Sequence, residues 1–171
     1  MDTPTRRELR PSYFYTIALL IFIADQYTKR WISTSMPWDS SRSIVGNKFM
    51  LTLTQNTGGA WGLLPKGNVI FMVFAAIAIV VLLIAYHKLL NLELLPGSAF
   101  ALALGGAVGN LTDRIRLGYV VDFFDARIIR WPIFNVADSA ITVGICLLMI
   151  HFFRASRAES TEATEAVKTS P

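Results

Sequence analysis

The sequence predicts an all-α integral membrane protein with four transmembrane helices, and three observations carry that expectation. Hydrophobic residues make up 53% of the 171 and the mean hydropathy is +0.47, more apolar side chain than a soluble core of this size absorbs. Four segments are long enough to cross a bilayer, which takes about 20 residues of helix. Carboxylates are nearly excluded from the middle of the chain, where residues 11–153 hold one glutamate, Glu93, and six aspartates.

The first span is expected from Pro11 to Ile32. Arg6, Arg7 and Arg10 followed by an apolar run resemble a secretory signal, but the run passes into Asp25, Gln26 and Lys29 without a small-x-small cleavage site, so it reads as an uncleaved helix. Its strictly apolar part, Tyr13 to Ala24, is short, and Asp25 and Lys29 at its outer end are spaced i,i+4 on one face. The second span, Asn68 to His87, is the cleanest. The third, Gly97 to Thr112, carries Gly97, Ala101, Gly105 and Gly109 at every fourth position, a stripe of small residues that lets transmembrane backbones approach closely. It ends in Asn110, Asp113 and Arg114. The fourth runs from Asn135 to Phe153.

The connection Ser33 to Gly67 is long. Within it Met50 to Asn56 has strand-like alternation that breaks at Gly58-Gly59. Trp31, Trp38, Trp61 and Trp131 all fall in or beside the two loops of one face, and tryptophan favours the headgroup zone. Residues 1–154 are expected to form one four-span domain. Residues 155–171, rich in Ser, Thr, Glu and Ala, are expected to be an unstructured cytoplasmic tail.

Four spans put both termini on one side. Seven basic residues lie on the terminal side and nine on the other, a count that does not decide orientation; the three N-terminal arginines favour a cytoplasmic N-terminus. The net charge of +4 is spread over loops and tails, without the stripe nucleic-acid binding needs; membrane lipids are the better partner. Cys146 is the only cysteine, which excludes an intrachain disulfide.

Polar residues from four segments gather at the non-terminal face: Asp25, Lys29, Asn56, Asn110, Asp113, Arg114, Asp122, Asn135 and Asp138. Carboxylates near lipid are costly and need a reason, and Asp122 and Asp138, flanking the last span, suggest acid/base chemistry at a membrane surface. Blander readings stand beside this one. Asn135 and Asp138 are good helix-cap types, Asp25 and Lys29 can simply neutralise each other, and Asp113 with Arg114 can be a local charge arrangement. Asp125 is as eligible as Asp122. His87 and His151 lie at the opposite ends of their spans, which removes a His-activated nucleophile. No HExxH or Cys/His cluster occurs, so neither metal nor other cofactor is expected. What remains for hydrolysis is a carboxylate pair sharing one proton.

Five strings resemble, in order, those of the lipoprotein signal peptidase (signal peptidase II) family: Asp25-Gln26-x-x-Lys29, Gln55 to Gly62, Gly105 to Arg114, Gly118 to Phe123, and Phe134 to Ser139. The resemblance covers residues 25 to 139. It implies an aspartic endopeptidase of the bacterial cytoplasmic membrane that removes the signal peptide of prolipoproteins on the N-terminal side of a diacylglyceryl-cysteine. It implies Asp122 and Asp138 as the catalytic pair, with Asp25, Asn56, Gly58, Asn110, Arg114, Asn135 and Ala137 supporting it or touching substrate; Lys29 and Asp113 join them from the polar cluster. It also implies a periplasmic active site and hence cytoplasmic termini. One departure is Gly59, where the family often has alanine. On this reading the strand-like segment ending at Asn56 forms a small extracytoplasmic cradle, Trp61 belongs to a lid loop, and a monomer is expected. An ion- or proton-coupled carrier and a non-catalytic scaffold are the rivals. Carriers place such residues near the midplane between internal repeats, and no repeat is visible here.

Overall fold

The computed structural model describes residues 11–58, 67–88 and 94–169. Four long helices dominate: α1 (Pro11–Ser35), α2 (Gly67–Lys88), α3 (Leu94–Leu117) and α4 (Val136–Thr169). α3 is the central helix and packs against the other three. Among the described residues three helices are long and apolar enough to cross a membrane, over Asn68–Lys88, Leu94–Leu117 and Val136–Arg157. These match the second, third and fourth expected spans.

α1 is as long as these but falls outside that set, and its buried face gives the reason. The buried residues Phe14, Ala18, Asp25, Lys29 and Ile32 form one stripe, apolar at both ends and charged in the middle. Phe14 and Ala18 pack with Tyr86, Phe100, Ala101 and Leu104; Ile32 packs with Leu53, Val121 and Phe123. The charges thus occupy a layer between two apolar clusters. Hydropathy averages count them without regard to the direction they face, while Leu19, Leu20 and Ile23 leave the outer face apolar.

The small-residue stripe works as a close-approach surface. A side-chain carbon on Gly105 would meet the backbone oxygen of Ala18 at 2.5 Å, and one on Gly106 would run into the backbone oxygen of Ala137. α1 and α4 therefore lie directly on α3. Gly106→Ala should push α4 away and cost about 1–3 kcal/mol, read as a lower unfolding temperature in detergent; unchanged stability would contradict this packing.

The strand expected at Met50 to Asn56 is β2 (Phe49–Asn56). It is the middle of an antiparallel sheet with β1 (Ser41–Val45) and β3 (Val120–Asp125). Neither outer strand was expected from the sequence. β3 is short and ends the loop after α3, and its pairing with a segment some 70 residues earlier leaves no local trace. α4 continues to Thr169, past Ala155 where an unstructured tail is expected. The same alanines, glutamates and lysine that keep a segment from building a core are good helix formers.

Candidate active site

Strand alternation sets the site. In β3, Val121 and Phe123 point to the apolar cluster under the sheet, which turns Asp122 to the other face. Asp122 pairs with Thr54 of β2, so Asn56, two residues on, lies diagonally opposite on the same face. Its amide Nδ2 donates to Asp122 Oδ2 at 2.9 Å. Gly58 closes the end of β2 in a left-handed conformation (φ 126°), and its N–H donates to Asn56 Oδ1 at 3.1 Å. That contact fixes which way the Asn56 amide faces.

The start of α4 supplies the other half. Asn135 caps the helix: its Oδ1 accepts the Asp138 N–H at 2.9 Å, and Asp138 Oδ2 accepts the Asn135 N–H at 3.2 Å, the reciprocal pattern of a capping box. The cap does not compete with membership of the site, because Asn135 Nδ2 remains free to donate to Asp122 Oδ1 at 2.7 Å. A third free N–H of this first turn, that of Ala137, donates to Asp25 Oδ1 from α1 at 3.0 Å.

Behind both aspartates lies the charged layer. Lys29 Nζ is 2.8 Å from Asp25 Oδ2 and 2.9 Å from Asp113 Oδ2, and donates to Asn110 Oδ1 at 2.9 Å. Asn135 Nδ2 also donates to that Asn110 oxygen at 3.1 Å. With its oxygen held by two donors, the Asn110 amide must turn its nitrogen outward, and it donates to Asp138 Oδ1 at 2.8 Å. Asp113 further accepts from Gln26 Nε2 at 2.9 Å and from the Val121 N–H at 3.2 Å, tying α3 to β3. Among the described residues no buried side-chain nitrogen or oxygen lacks a partner.

Several sequence readings are thereby sorted. Asp25 and Lys29 are an ion pair as expected, but a buried one that faces α3 rather than an interfacial one. Asp113 pairs with Lys29 and not with its neighbour Arg114. Arg114 turns toward α2, where its Nη1 donates to Asn68 Oδ1 at 3.4 Å and its guanidinium lies 5.0 Å from the Phe71 ring centre. Asp125, left open beside Asp122, accepts from Thr52 Oγ1 and Arg127 Nε, both at 2.8 Å, and so serves the sheet. Trp61 and Gly59 lie outside the described residues. Sequence reasoning missed Asn68 and Gln26 as partners; Asn68 stands as a lone polar residue at the start of an apolar helix, and Gln26 lies directly beside Asp25 in the polar stretch of α1.

Asp122 is 2% exposed. Burial pushes its carboxyl up to about 7, and the charge of Asp138 adds to this, against the pull of Asn56, Asn135 and Lys29. The two carboxylates meet through Asn135, whose side-chain Nδ2 donates to Asp122 Oδ1 and whose backbone N–H donates to Asp138 Oδ2. Such a pair can accept a proton at one oxygen and deliver one from the other.

Residues 17–154 match the family described as signal peptidase (SPase) II. The chain is 40% identical to the lipoprotein signal peptidase of Halothermothrix orenii over 140 residues, 82% of this chain and 94% of that one. It is 35% identical to the lipoprotein signal peptidase of Geobacter sulfurreducens over 159 residues, 89% of this chain and 99% of that one. A bacterial membrane enzyme solved in meso at 2.3 Å resolution superposes with a TM-score of 0.81 at 32% identity, covering 89% of this chain and 94% of that one. With the match running through every helix and strand of the site, the chain belongs to the signal peptidase (SPase) II family.

Proposed function

We propose that this protein is an aspartic endopeptidase of the bacterial cytoplasmic membrane that cuts the signal peptide from lipid-modified prolipoproteins, on the N-terminal side of the diacylglyceryl-cysteine. The observation that carries the reading is the sharing of Asn135 between Asp122 and Asp138, with Asp138 close enough to raise the proton affinity of Asp122. Asp122 carries the shared proton. Asp138, in the first turn of α4 where the helix dipole favours an anion, is the base. It takes a proton from water as the water oxygen attacks the scissile carbonyl carbon, and Asp122 gives its proton to the carbonyl oxygen. As the tetrahedral intermediate collapses, the proton now on Asp138 passes to the leaving amide nitrogen. The carbonyl re-forms as its hydroxyl returns a proton to Asp122.

α1 is the fourth span in this reading, its charges turned inward and its outer face left to lipid. Both termini are then cytoplasmic and the dyad lies at the periplasmic rim. That position suits a substrate whose acyl chains hold it in the bilayer by about 0.8 kcal/mol per buried CH₂. The three-stranded sheet is the cradle against the interface. Asp25, Lys29, Asn110 and Asp113 hold the dyad from behind, while Asn56, Gly58, Arg114, Asn135 and Ala137 line or frame the substrate's place. The enzyme works as a monomer without cofactor. The segment around Trp61 closes over bound substrate, so Trp61→Ala should slow processing; undiminished turnover would discard the lid.

Purified protein incubated with a lipid-modified precursor should release a signal peptide and leave the lipidated cysteine as the new N-terminus, read by mass spectrometry. Cleavage at another bond, or equal cleavage of unlipidated precursor, would refute the assignment. The same assay gives a pH test. The acid is protonated below about 7 and lost above it, so kcat/KM should fall as pH rises through that value. The folded-state proton also stabilises: that share is complete below 3.8, the ordinary value, and is gone once pH has passed about 7.

A further inference from the structure

Tyr119, just before β3, and Val121, on the side of β3 opposite to Asp122, line a cavity of about 580 Å³ between α1, α3 and the loop after α1. Arg30, Ser33, Trp38, Arg116, Leu117 and Tyr119 line it over a floor formed by Lys29 and Asp113. We propose that this cavity binds the phosphodiester headgroup of an anionic phospholipid.

The floor is spent. Lys29 answers Asp25 and Asp113, and Asp113 accepts from Gln26 and the Val121 N–H as well. The two guanidiniums are not spent. Arg30 ends the polar stretch of α1 and Arg116 lies in the last turn of α3, and among the described residues neither has a carboxylate partner. Trp38 and Tyr119 stand edge-to-face with ring centres 5.8 Å apart; among the described residues, neither the indole N–H nor the phenol hydroxyl is hydrogen-bonded within the protein. The cavity thus presents planar, forked cation donors and two single donors, the set that recognises phosphate oxygens.

Charge narrows the ligand class. Two carboxylates and one ammonium in the layer beneath leave one negative charge, which two guanidiniums turn into one positive. A phosphodiester, with a single negative charge, balances it, and a zwitterionic headgroup does not. The surroundings supply the rest of a lipid's requirements. Leu117 lines the cavity yet is 46% exposed, and Tyr27 and Trp31, beside Arg30 on α1, are 69% and 54% exposed. Acyl chains leaving the cavity would run along that apolar surface, and tryptophan and tyrosine mark headgroup depth. An acidic peptide would use the two arginines but not this bare surface.

The test is native mass spectrometry of the full chain in detergent, offered equal amounts of phosphatidylglycerol and phosphatidylcholine. Wild type should retain phosphatidylglycerol preferentially. Arg116→Gln should lower that preference about fivefold at low salt, and Arg30→Gln with Arg116→Gln by about that factor again. Both side chains are exposed, so unfolding temperature should hold, and Arg42→Gln on β1 should leave the preference intact. Undiminished phosphatidylglycerol retention in the double variant overturns the proposal. So does inorganic phosphate, or an acidic peptide, displacing the lipid at equal concentration. Since the readout is lipid retention and not proteolysis, its failure would leave the peptidase reading standing.

Discussion

Replacing Asp122 or Asp138 singly with asparagine should stop precursor processing, by on the order of 10³-fold or more, while the protein stays in the membrane at its normal level. A positioned acid or base contributes about 10²–10⁴-fold, and a pair sharing one proton loses its function when either member can no longer carry charge. The expected cost to the fold is much smaller. In Asp122→Asn, Oδ1 still accepts from Asn135, and only the contact with the half-buried Asn56 becomes donor against donor. In Asp138→Asn one of the two bonds, from Asn110 or from the Asn135 N–H, is lost. Each such loss costs about 1 kcal/mol. A gel-shift assay of lipid-modified precursor, with protein level measured beside it, separates the two effects. Processing that survives either change would remove the dyad mechanism and return the site to a capped-helix scaffold.

Lys29→Met should have the largest effect on stability. The ammonium is 3% exposed and touches two carboxylates, of which Asp25 is 0% exposed. Its removal leaves both carboxylates without their cation in a buried layer, and breaking a buried pair in this way costs roughly 3–5 kcal/mol. The change also removes one of the two donors that hold the Asn110 oxygen, leaving Asn135 Nδ2 alone to fix the direction of the amide presented to Asp138. Thermal unfolding in detergent should show the loss, and adding Asp113→Asn to Lys29→Met should restore part of it by removing one stranded charge. A Lys29→Met protein as stable as wild type would mean that this layer does not hold the helices together.

Much of this was legible in one dimension. The apolar spans, the four-residue glycine and alanine stripe, and the convergence of polar residues on one face all follow from local spacing. Local spacing survives folding, because a helix face or strand face is fixed by periodicity alone. Asn135 and Asp138 were equally legible as helix caps and as candidate site residues, and the structure shows that the two are compatible: Asn135 caps with its oxygen and reaches Asp122 with its nitrogen. A sequence names the residue but not which of its atoms is engaged.

The choice between Asp122 and Asp125 was of another kind. Both lie in one short strand, three residues apart, and only the register of β3 on β2 turns one toward Asn56 and the other toward Thr52. Arg114 illustrates the same limit, since its neighbour Asp113 was an obvious partner in sequence and takes Lys29 instead, a helix placing adjacent side chains on different faces. The inward charges of α1 were hidden in another way: they lower every hydropathy average, and only packing reveals that they face protein. Sequence alone determined the family of the chain and the list of candidate site residues, because composition, periodicity and motif order are properties of the chain. Tertiary structure decided which carboxylates meet and what each donor faces, because strand register and helix contact bring together residues that no local rule relates.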